Sequence, residues 1–310
     1  MSSAQVDSVR EMWGVSVPQL AFEYEPLLHT LLALSAAHRA TLLPQEASSL
    51  RPVYHGYIDS VIRQHRPVTA NLDNNVTEAV CINTVLLSLY TLFLRSEPST
   101  APYEAPVMWL SLSHGIRLVL KTVYNQLITE NSALCPLLQA QPAIWKTADR
   151  TQRAYNGPMK PFQFLLSYRQ EDDCMDSAAV TVYEEGVDYL ERFYIAVQRG
   201  EPDHVLRRMF IGFPPVVPRP FISFVAEKRP RALVIMAYLF ALVKQFDDVW
   251  WLRGIPEREV RGINSILPAE WKHMMNWPLR IASTGTTYSE DVDEVSVSMT
   301  YPVASDVHAS

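Results

Sequence analysis

The sequence predicts an all-α fold, a single domain in which roughly ten helices form a bundle around a central apolar pocket. Apolar residues recur with the helical period of about 3.6 along most of the chain. No stretch shows the alternating, β-branched pattern of strands separated by regularly spaced turns, and no internal repeat is visible. Hydrophobic residues make up 48% of the 310 positions and charged residues 19%, which is typical of a globular protein with a substantial core.

The first half of the chain contains four predicted helices. In residues 26–43, leucines at helical spacing predict a helix of about five turns, and the alanines between them allow a partner helix to approach closely. Residues 52–64 and 77–94 continue in helical register. After a Pro/Ser-rich loop, an apolar stripe that begins at Trp109 predicts a fourth helix over residues 107–127.

The second half is less regular. Residues 129–161 are rich in Pro, Gln and Asn, which predicts an irregular connection with one or two short helices. A helix then begins near Asp172 and ends at Gly200, which is a suitable C-cap. Prolines are frequent in residues 205–230, and we expect them to exclude a long regular element there.

Two late helices close the predicted domain, the first in residues 231–254 and the second in residues 257–267. From Ser283 onward the chain is rich in Ser, Thr and acidic residues, a composition typical of a loosely attached segment. We therefore expect a helical domain over residues 1–282 and a flexible polar tail over residues 283–310.

Charge and cysteine content argue against several classes of function. The net charge of -6 and the lack of any Lys/Arg-rich run disfavour direct nucleic-acid binding, because phosphate contacts need clustered cations. Cys81, Cys135 and Cys174 are odd in number and widely spaced, which favours reduced thiols in the cytosol. The N-terminus lacks the features of a signal peptide, and the apolar run at residues 82–94 is too short to span a bilayer. We expect a cytoplasmic protein without a membrane span.

The first late helix turns abruptly polar near its end. One helical turn holds a lysine and two aspartates, and two tryptophans follow: Lys244, Asp247, Asp248, Trp250 and Trp251. In a helix that ends near Gly254, carboxylates so close to the C-terminus are disfavoured by the helix dipole, so we expect a partner outside the helix. Two interpretations remain open. The cluster is either an ion network with an arginine such as Arg253, or the polar end of a ligand pocket.

Four blocks of the sequence resemble the regulatory domain of fungal zinc-cluster transcription factors of the sterol-uptake-regulator type. They are VREMWGVSVPQLAFEYEPLLHTLLALSAAHRA at residues 9–40, WLSLSHGIRLVL at 109–120, ALVIMAYLFALVKQFDDVWWLRG at 232–254 and LPAEWKHMMNWP at 267–278. The resemblance implies a helical cup that holds a lipid-like ligand. Members of that family carry a six-cysteine zinc cluster that reads DNA, and this sequence begins with the domain already under way. We therefore expect that the chain does not act as a transcription factor alone.

A second resemblance is to the humulene-synthase-type sesquiterpene cyclases of fungal tropolone pathways, which are related to such domains. It implies that farnesyl diphosphate binds through Mg²⁺ and an essential lysine on a late helix, with an apolar residue one turn earlier that controls the product. Lys244 and Phe240 match these two positions. The family has Leu or Met at the second position, so Phe240 is a departure that affects the product.

Two acidic groups are candidates for the Mg²⁺ site. The string DDCMD is one that class I terpene cyclases use to bridge Mg²⁺ to a diphosphate, because carboxylates four residues apart share a helical face. It comprises Asp172, Asp173 and Asp176. Acids at the start of a helix also serve as caps without any ligand, and that interpretation stays open. The second candidates are Asp247 and Asp248, beside Lys244.

We expect the substrate to contact one further cation and several aromatic side chains. These substrate-binding candidates are Arg117, Trp109, Phe240, Trp250 and Trp251. In a cyclase Arg117 would contact the diphosphate, while the aromatic faces would stabilise carbocations and exclude water. Core packing is the alternative role for each aromatic residue, and a solvated helix face is the alternative for Arg117.

The main hypothesis from the sequence is a lyase of fungal secondary metabolism. A Mg²⁺-dependent terpene cyclase would ionise farnesyl diphosphate and close it to a humulene-type sesquiterpene, with Lys244 as the catalytic residue. The alternative is an orphan ligand-sensing regulatory domain of a fungal zinc-cluster transcription factor, which acts through a partner and is nuclear. The expected ligand is a prenyl diphosphate or another lipid-like small molecule, and a homo-oligomer is compatible with the sequence.

Overall fold

The computed structural model describes residues 3–70, 76–129, 132, 135, 161–168 and 176–285. Within this part the chain is helical and contains no β-strand, which confirms the all-α prediction. The thirteen α-helices of the described part are α1 (Ser3–Glu11), α2 (Val17–Glu23), α3 (Glu25–Leu42), α4 (Ala47–Ala70), α5 (Thr77–Phe93), α6 (Val107–Thr129), α7 (Phe164–Ser167), α8 (Ser177–Gln198), α9 (Asp203–Val216), α10 (Arg219–Ala226), α11 (Pro230–Val243), α12 (Ile255–Ile266) and α13 (Asn276–Thr284). A π-helical segment, Met12–Ser16, joins α1 to α2.

The N-terminal layer, which we define as α1 to α5 and the turn to Glu97, is built on a helical hairpin. α3 and α4 are antiparallel, because Gln64 reaches Glu25 at one end (Nε2 to Oε1, 3.4 Å) and Arg39 pairs with Glu46 at the other (Nε to Oε2, 2.8 Å). Of the small residues predicted to admit a partner helix, Ala33 and Ala37 are buried in one cluster with α4, and the partly buried Ala36 packs against that cluster. Their lack of bulk lets the two helices lie close together.

The interior of the N-terminal layer is formed by α5. By length and composition alone, residues 77–96 could cross a membrane, but 72% of the most apolar window is buried against other helices. Such burial is typical of a core helix. Taken together, α9 and α10 are also long and apolar enough to cross a membrane, but the two helices are bent by 90° relative to each other. Cys81 lies in this buried stretch, and desolvation, followed by the nearby Glu78 charge, raises the pKa of its thiol to about 12.

The C-terminal core, which we define as α8 to α13, surrounds α11. Every residue of α11 from Arg231 to Val243 is buried, so the helix is enclosed on all sides. α8 runs parallel to it, because Tyr183 faces Arg231 near its start, and Phe193 packs against Phe246 beyond its end (ring centroids 5.9 Å apart). Four aromatic residues from other helices complete this core: Trp109, Phe210, Phe213 and Trp277.

Gly200 confirms the predicted end of α8. It has a positive φ of 65°, and its amide donates to the carbonyl of Val197, while Glu201 donates to Ala196. This pair of hydrogen bonds is the usual C-terminal motif that favours glycine. The start of the same helix is Ser177, and the residues before Asp176 that the sequence placed in it lie outside the described part.

The prediction that prolines exclude a long regular element in residues 205–230 is wrong. Pro214 and Pro215 lie in the last turn of the 14-residue helix α9, so the interruption that they cause falls at its end. Side chains of α6 bind the carbonyls at this helix end, since His114 Nδ1 lies 3.3 Å from the oxygen of Pro214 and Arg117 donates to Pro215 (3.2 Å).

The C-terminal boundary of the domain remains a prediction. The last described helix, α13, runs to Thr284, and Gly285 with its φ of 71° caps it. The flexible tail predicted for residues 283–310 falls almost entirely outside the described residues, as does most of the irregular connection predicted for residues 129–161.

Candidate functional site

The first late helix ends earlier than the sequence predicts. α11 stops at Val243, Lys244–Phe246 form a 3₁₀ turn, and the chain then folds through turns to Gly254. The expected helix to Gly254 is therefore wrong, and Asp247 and Asp248 lie beyond the end of α11 instead of in its last turn. Two tertiary contacts explain the early end. Phe246 packs into the core against Phe193, and the Asp247 side chain binds backbone that a continuing helix would have used.

Lys244 and Asp247 form an ion pair at this helix end. Nζ of Lys244 lies 3.0 Å from Oδ2 of Asp247, and both side chains are mostly buried, with 23% and 14% exposed. The same carboxylate oxygen accepts the amide of Gly254 at 3.2 Å, and Gly254 has a positive φ of 76°. Asp247 therefore ties both ends of the turn over residues 247–254 to Lys244.

Asp248 has the external partner that the sequence led us to expect, although the helix is shorter. Its carboxylate pairs with Arg207 of α9, which also binds Asp203 (3.2 Å) and the carbonyl of Phe246 (3.2 Å). Arg253 donates to the backbone oxygen of Asp248 at 3.0 Å. The contacts of Asp248 are those of a structural ion network, which was one of the two open interpretations.

Asp176 is a helix cap. Its side chain accepts the amide of Ala179 at 2.7 Å, so it occupies the N-cap position of α8. Asp172 and Asp173 lie outside the described residues. Because Asp176 precedes Phe193 by about 25 Å along α8, and Phe193 contacts Phe246, Asp176 and Lys244 lie at opposite ends of this helix. In the part of the chain that the structure describes, no group of three or more His, Cys, Asp or Glu could hold a metal ion, and Mg²⁺ stays a prediction.

The five predicted substrate-binding residues do not share one cavity. Trp109 stacks on Phe210 (5.0 Å between ring centroids), and the fully buried Phe240 lies 6.0 Å from the same indole. These rings fill the middle of the C-terminal core, where the sequence placed an apolar pocket. The remaining residues lie elsewhere. Trp250 stacks on His38 of the N-terminal layer (4.8 Å), Trp251 is partly buried at the edge of the core, and Arg117 is exposed beside the end of α9.

A surface cavity of about 370 Å³ opens beside Trp109, between the end of α5, the start of α6 and the end of α10. Trp109 is the single predicted site residue on its wall. The charged residues of the wall are Arg95, Glu104 and Lys228.

A buried ion pair supports this cavity from behind. Glu259 of α12 is fully buried, and Arg95 binds both of its carboxylate oxygens, at 2.7 Å from Nε and 3.1 Å from Nη2. Tyr103 donates its hydroxyl to the same carboxylate at 2.8 Å. Desolvation, followed by the charge of Glu259, raises the pKa of Tyr103 far above its ordinary value. Gly262 is required beside it, because a Cβ at this position would lie 2.1 Å from the Tyr103 ring.

The sequence did not reveal the cluster of Arg95, Tyr103 and Glu259, because its members are far apart in the chain. The position of Glu259 was the one feature that could have indicated it. Glu259 falls on the buried face of α12, one turn after Ile255 and one turn before Ile263, where an apolar residue is expected. A carboxylate in such a position needs a buried partner.

Comparison with known proteins gives relatives of one kind. No family model matches the sequence. The chain is 27% identical over 236 residues to the Zn(2)-C6 fungal-type transcription factor afumD of Aspergillus fumigatus, covering 76% of this chain and 61% of that protein. It is 23% identical over 302 residues to a Zn(2)-C6 fungal-type transcription factor of Gibberella zeae, covering 92% of this chain and 59% of that protein. It is also 23% identical over 265 residues to sterol uptake control protein 2 of Candida albicans (79% and 35%).

These relatives overturn the main hypothesis from the sequence. They are transcription factors and control proteins, so the terpene cyclase, the lyase activity and the role in sesquiterpene biosynthesis are wrong, and the regulatory alternative is supported. The chain spans about three fifths of the length of these first two relatives, so the point at which the sequence begins is no evidence for an enzyme. The chain resembles fungal Zn(2)-C6 transcription factors and sterol uptake control proteins, as its sequence blocks indicated.

Proposed function

We propose that this chain is a regulatory module of a fungal Zn(2)-C6 transcription factor, that it responds to a lipid-like ligand, and that it works in the nucleus. The observation that carries the proposal is similarity along most of the chain, 76% and 92% of it, to two transcription factors of this kind. Two further relatives are sterol uptake control proteins, which supports a lipid-like ligand. DNA recognition would come from a zinc-cluster module, in the same polypeptide or in a partner.

The geometry is compatible with a module that transmits a signal by moving its parts. The N-terminal layer meets the C-terminal core through a few specific contacts, including Trp250 between His38 and Phe93, and Arg258, which donates to the carbonyl of Glu97. A ligand that binds one arrangement of the two regions more tightly than another would shift the population between them. The charged residues once assigned to catalysis hold turns and helix ends in place, which suits such a scaffold.

A reporter assay tests the regulatory function. The chain is fused to an unrelated DNA-binding domain and expressed in yeast, with transcription measured in sterol-replete and sterol-depleted cells. We expect the fusion to change transcription relative to the DNA-binding domain alone, and the change to depend on sterol supply. Transcription equal to that of the DNA-binding domain alone in both conditions would contradict the proposal, provided that the fusion is expressed and nuclear.

A further inference from the structure

We propose that the surface cavity beside Trp109 binds an amphipathic organic anion, a molecule with an apolar body and a carboxylate head. The inference deepens the proposed function, on which its regulatory meaning rests, by naming a site and a ligand class. The volume of about 370 Å³ lies at the lower end of the range of small-molecule sites, roughly 300–1,000 Å³.

The inner wall of the cavity is apolar. Leu94, Trp109 and Val225 line it, and Trp109 and Val225 are almost fully buried. At the rim Met108 is 64% exposed, which is unusual for so large an apolar side chain. A ligand with an apolar body would cover Met108 and remove it from water, whereas Trp109 and Val225 are already shielded by the protein.

Two of the three charged residues on the wall, Arg95 and Lys228, are cations. Arg95 uses Nε and Nη2 to bind Glu259 and the carbonyl of Glu104, whereas its Nη1 donates to no residue in the described ranges. The first turn of α6 contains no acidic residue, so no side chain of that turn neutralises the positive end of the helix dipole, although the Val107 amide already donates to Ala105. An oxygen-bearing anion is the ligand that the free Nη1 of Arg95 would recognise.

Lys228 supplies a cation at the mouth of the cavity. Among the described residues Lys228 forms no ion pair. Its backbone φ is 56°, a positive value that residues other than glycine rarely adopt. The amides of Lys228 and Arg229 close the end of α10 onto Val225 and Phe224, a motif in which this position favours glycine. Compared with glycine, a lysine at this position therefore costs about 1 kcal/mol of conformational free energy. Backbone strain at a ligand-binding residue is a recurrent arrangement.

Glu104 allows a test in which two charge variants change the binding affinity in opposite directions. Its exposed carboxylate is the acidic side chain on the wall, so it should repel an anionic head that Lys228 attracts. Lys228→Gln and Glu104→Gln should therefore change the affinity for an organic anion in opposite directions.

Isothermal titration of the purified chain with decanoate, and with 1-decanol as its uncharged analogue, measures the affinity. We expect decanoate to bind at least about tenfold more tightly than decanol. Lys228→Gln should weaken decanoate binding by about fivefold, and Glu104→Gln should strengthen it by about twofold, since both charges are partly screened by solvent. Lys272→Gln is the matched control, because this exposed lysine does not line the cavity.

A folding defect is separated from a binding defect by Lys228→Gly. This variant removes the charge but relieves the backbone, so its melting temperature should rise while decanoate binding weakens. Absence of decanoate binding at millimolar concentration would overturn the site, as would equal binding of decanoate and decanol that both charge variants leave unchanged. Such a result leaves the reporter assay unaffected, whereas a silent reporter with intact decanoate binding overturns the regulatory function alone.

Discussion

The C-terminal core and the N-terminal layer differ in what holds their helices together. In the C-terminal core, α11 is buried along its whole length, and its neighbours are aromatic rings such as Trp109 and Phe210. In the N-terminal layer, polar side chains gather on Glu97. Arg51 and His55 lie 3.4 and 3.6 Å from its carboxylate, and Tyr54 donates its hydroxyl to it. The first region therefore depends on apolar packing, and the second depends in part on groups whose charge changes with pH.

The largest effect should come from Phe240→Ala in the C-terminal core. Removal of the fully buried ring leaves a cavity between Trp109 and Phe210 and should lower the free energy of unfolding by about 3–5 kcal/mol. The matched control is Phe22→Ala, because Phe22 is 81% exposed and its loss should cost less than about 0.5 kcal/mol. Urea unfolding followed by circular dichroism measures both. Similar losses in the two variants would show that the rings of the core are not its main support.

Glu259→Gln tests the buried ion pair that joins α12 to the end of α5. The change leaves Arg95 without its charged partner in a site where Glu259 is fully buried, so we expect a loss of about 3 kcal/mol. Glu257 lies on the same helix and pairs with Arg261 near the surface, so Glu257→Gln should cost about 0.5 kcal/mol or less. Thermal unfolding of the two variants side by side gives the comparison. Equal melting temperatures would refute the structural importance of Arg95.

Alkaline pH should weaken the N-terminal layer through Tyr54. Burial, followed by the hydrogen bond to Glu97, raises the pKa of Tyr54 to about 12 in the folded chain, from its ordinary value near 10. The unfolded tyrosine loses its proton first, so its contribution to stability is complete below pH 10 and is lost as the pH rises toward 12. By pH 11 the loss should reach about 1 kcal/mol.

The control for this pH dependence is Tyr54→Phe, which removes the ionisable hydroxyl. The variant is expected to be less stable at pH 8, yet its free energy of unfolding should fall less steeply between pH 10 and pH 11 than that of the unchanged chain. Identical slopes, measured by urea unfolding at both pH values, would show that Tyr54 is not responsible.

The smallest effect should come from Asp248→Asn at the surface of the C-terminal core. Asp248 is 74% exposed, so its ion pair with Arg207 is screened by water and should contribute less than about 1 kcal/mol. A double-mutant cycle with Arg207→Gln isolates the coupling between the two side chains. A coupling energy well above this value would mean that the turn over residues 247–254 depends on the pair more than its exposure suggests.

The same two regions show which features a sequence can predict. Helices such as α3, α5 and α8 follow from the spacing of their apolar residues, because burial of one face imposes that spacing. The end of α11 at Val243 could not be predicted, since the residues after it keep a helical pattern. The end is set by contacts of Phe246 with Phe193 and of Asp247 with Gly254. The candidate site was harder still, because Arg95 and Glu259 are separated by 164 positions in the chain.

The distribution of cysteine makes the opening of the N-terminal layer measurable by itself. Cys81 lies in the interior of the N-terminal layer, with its thiol protonated and shielded, whereas residues 176–285 contain no cysteine. With Cys135→Ser and Cys174→Ser in place, an alkylating reagent would modify Cys81 only after α5 becomes exposed. The rate of that modification would report transient opening of the N-terminal layer while the C-terminal core stays folded.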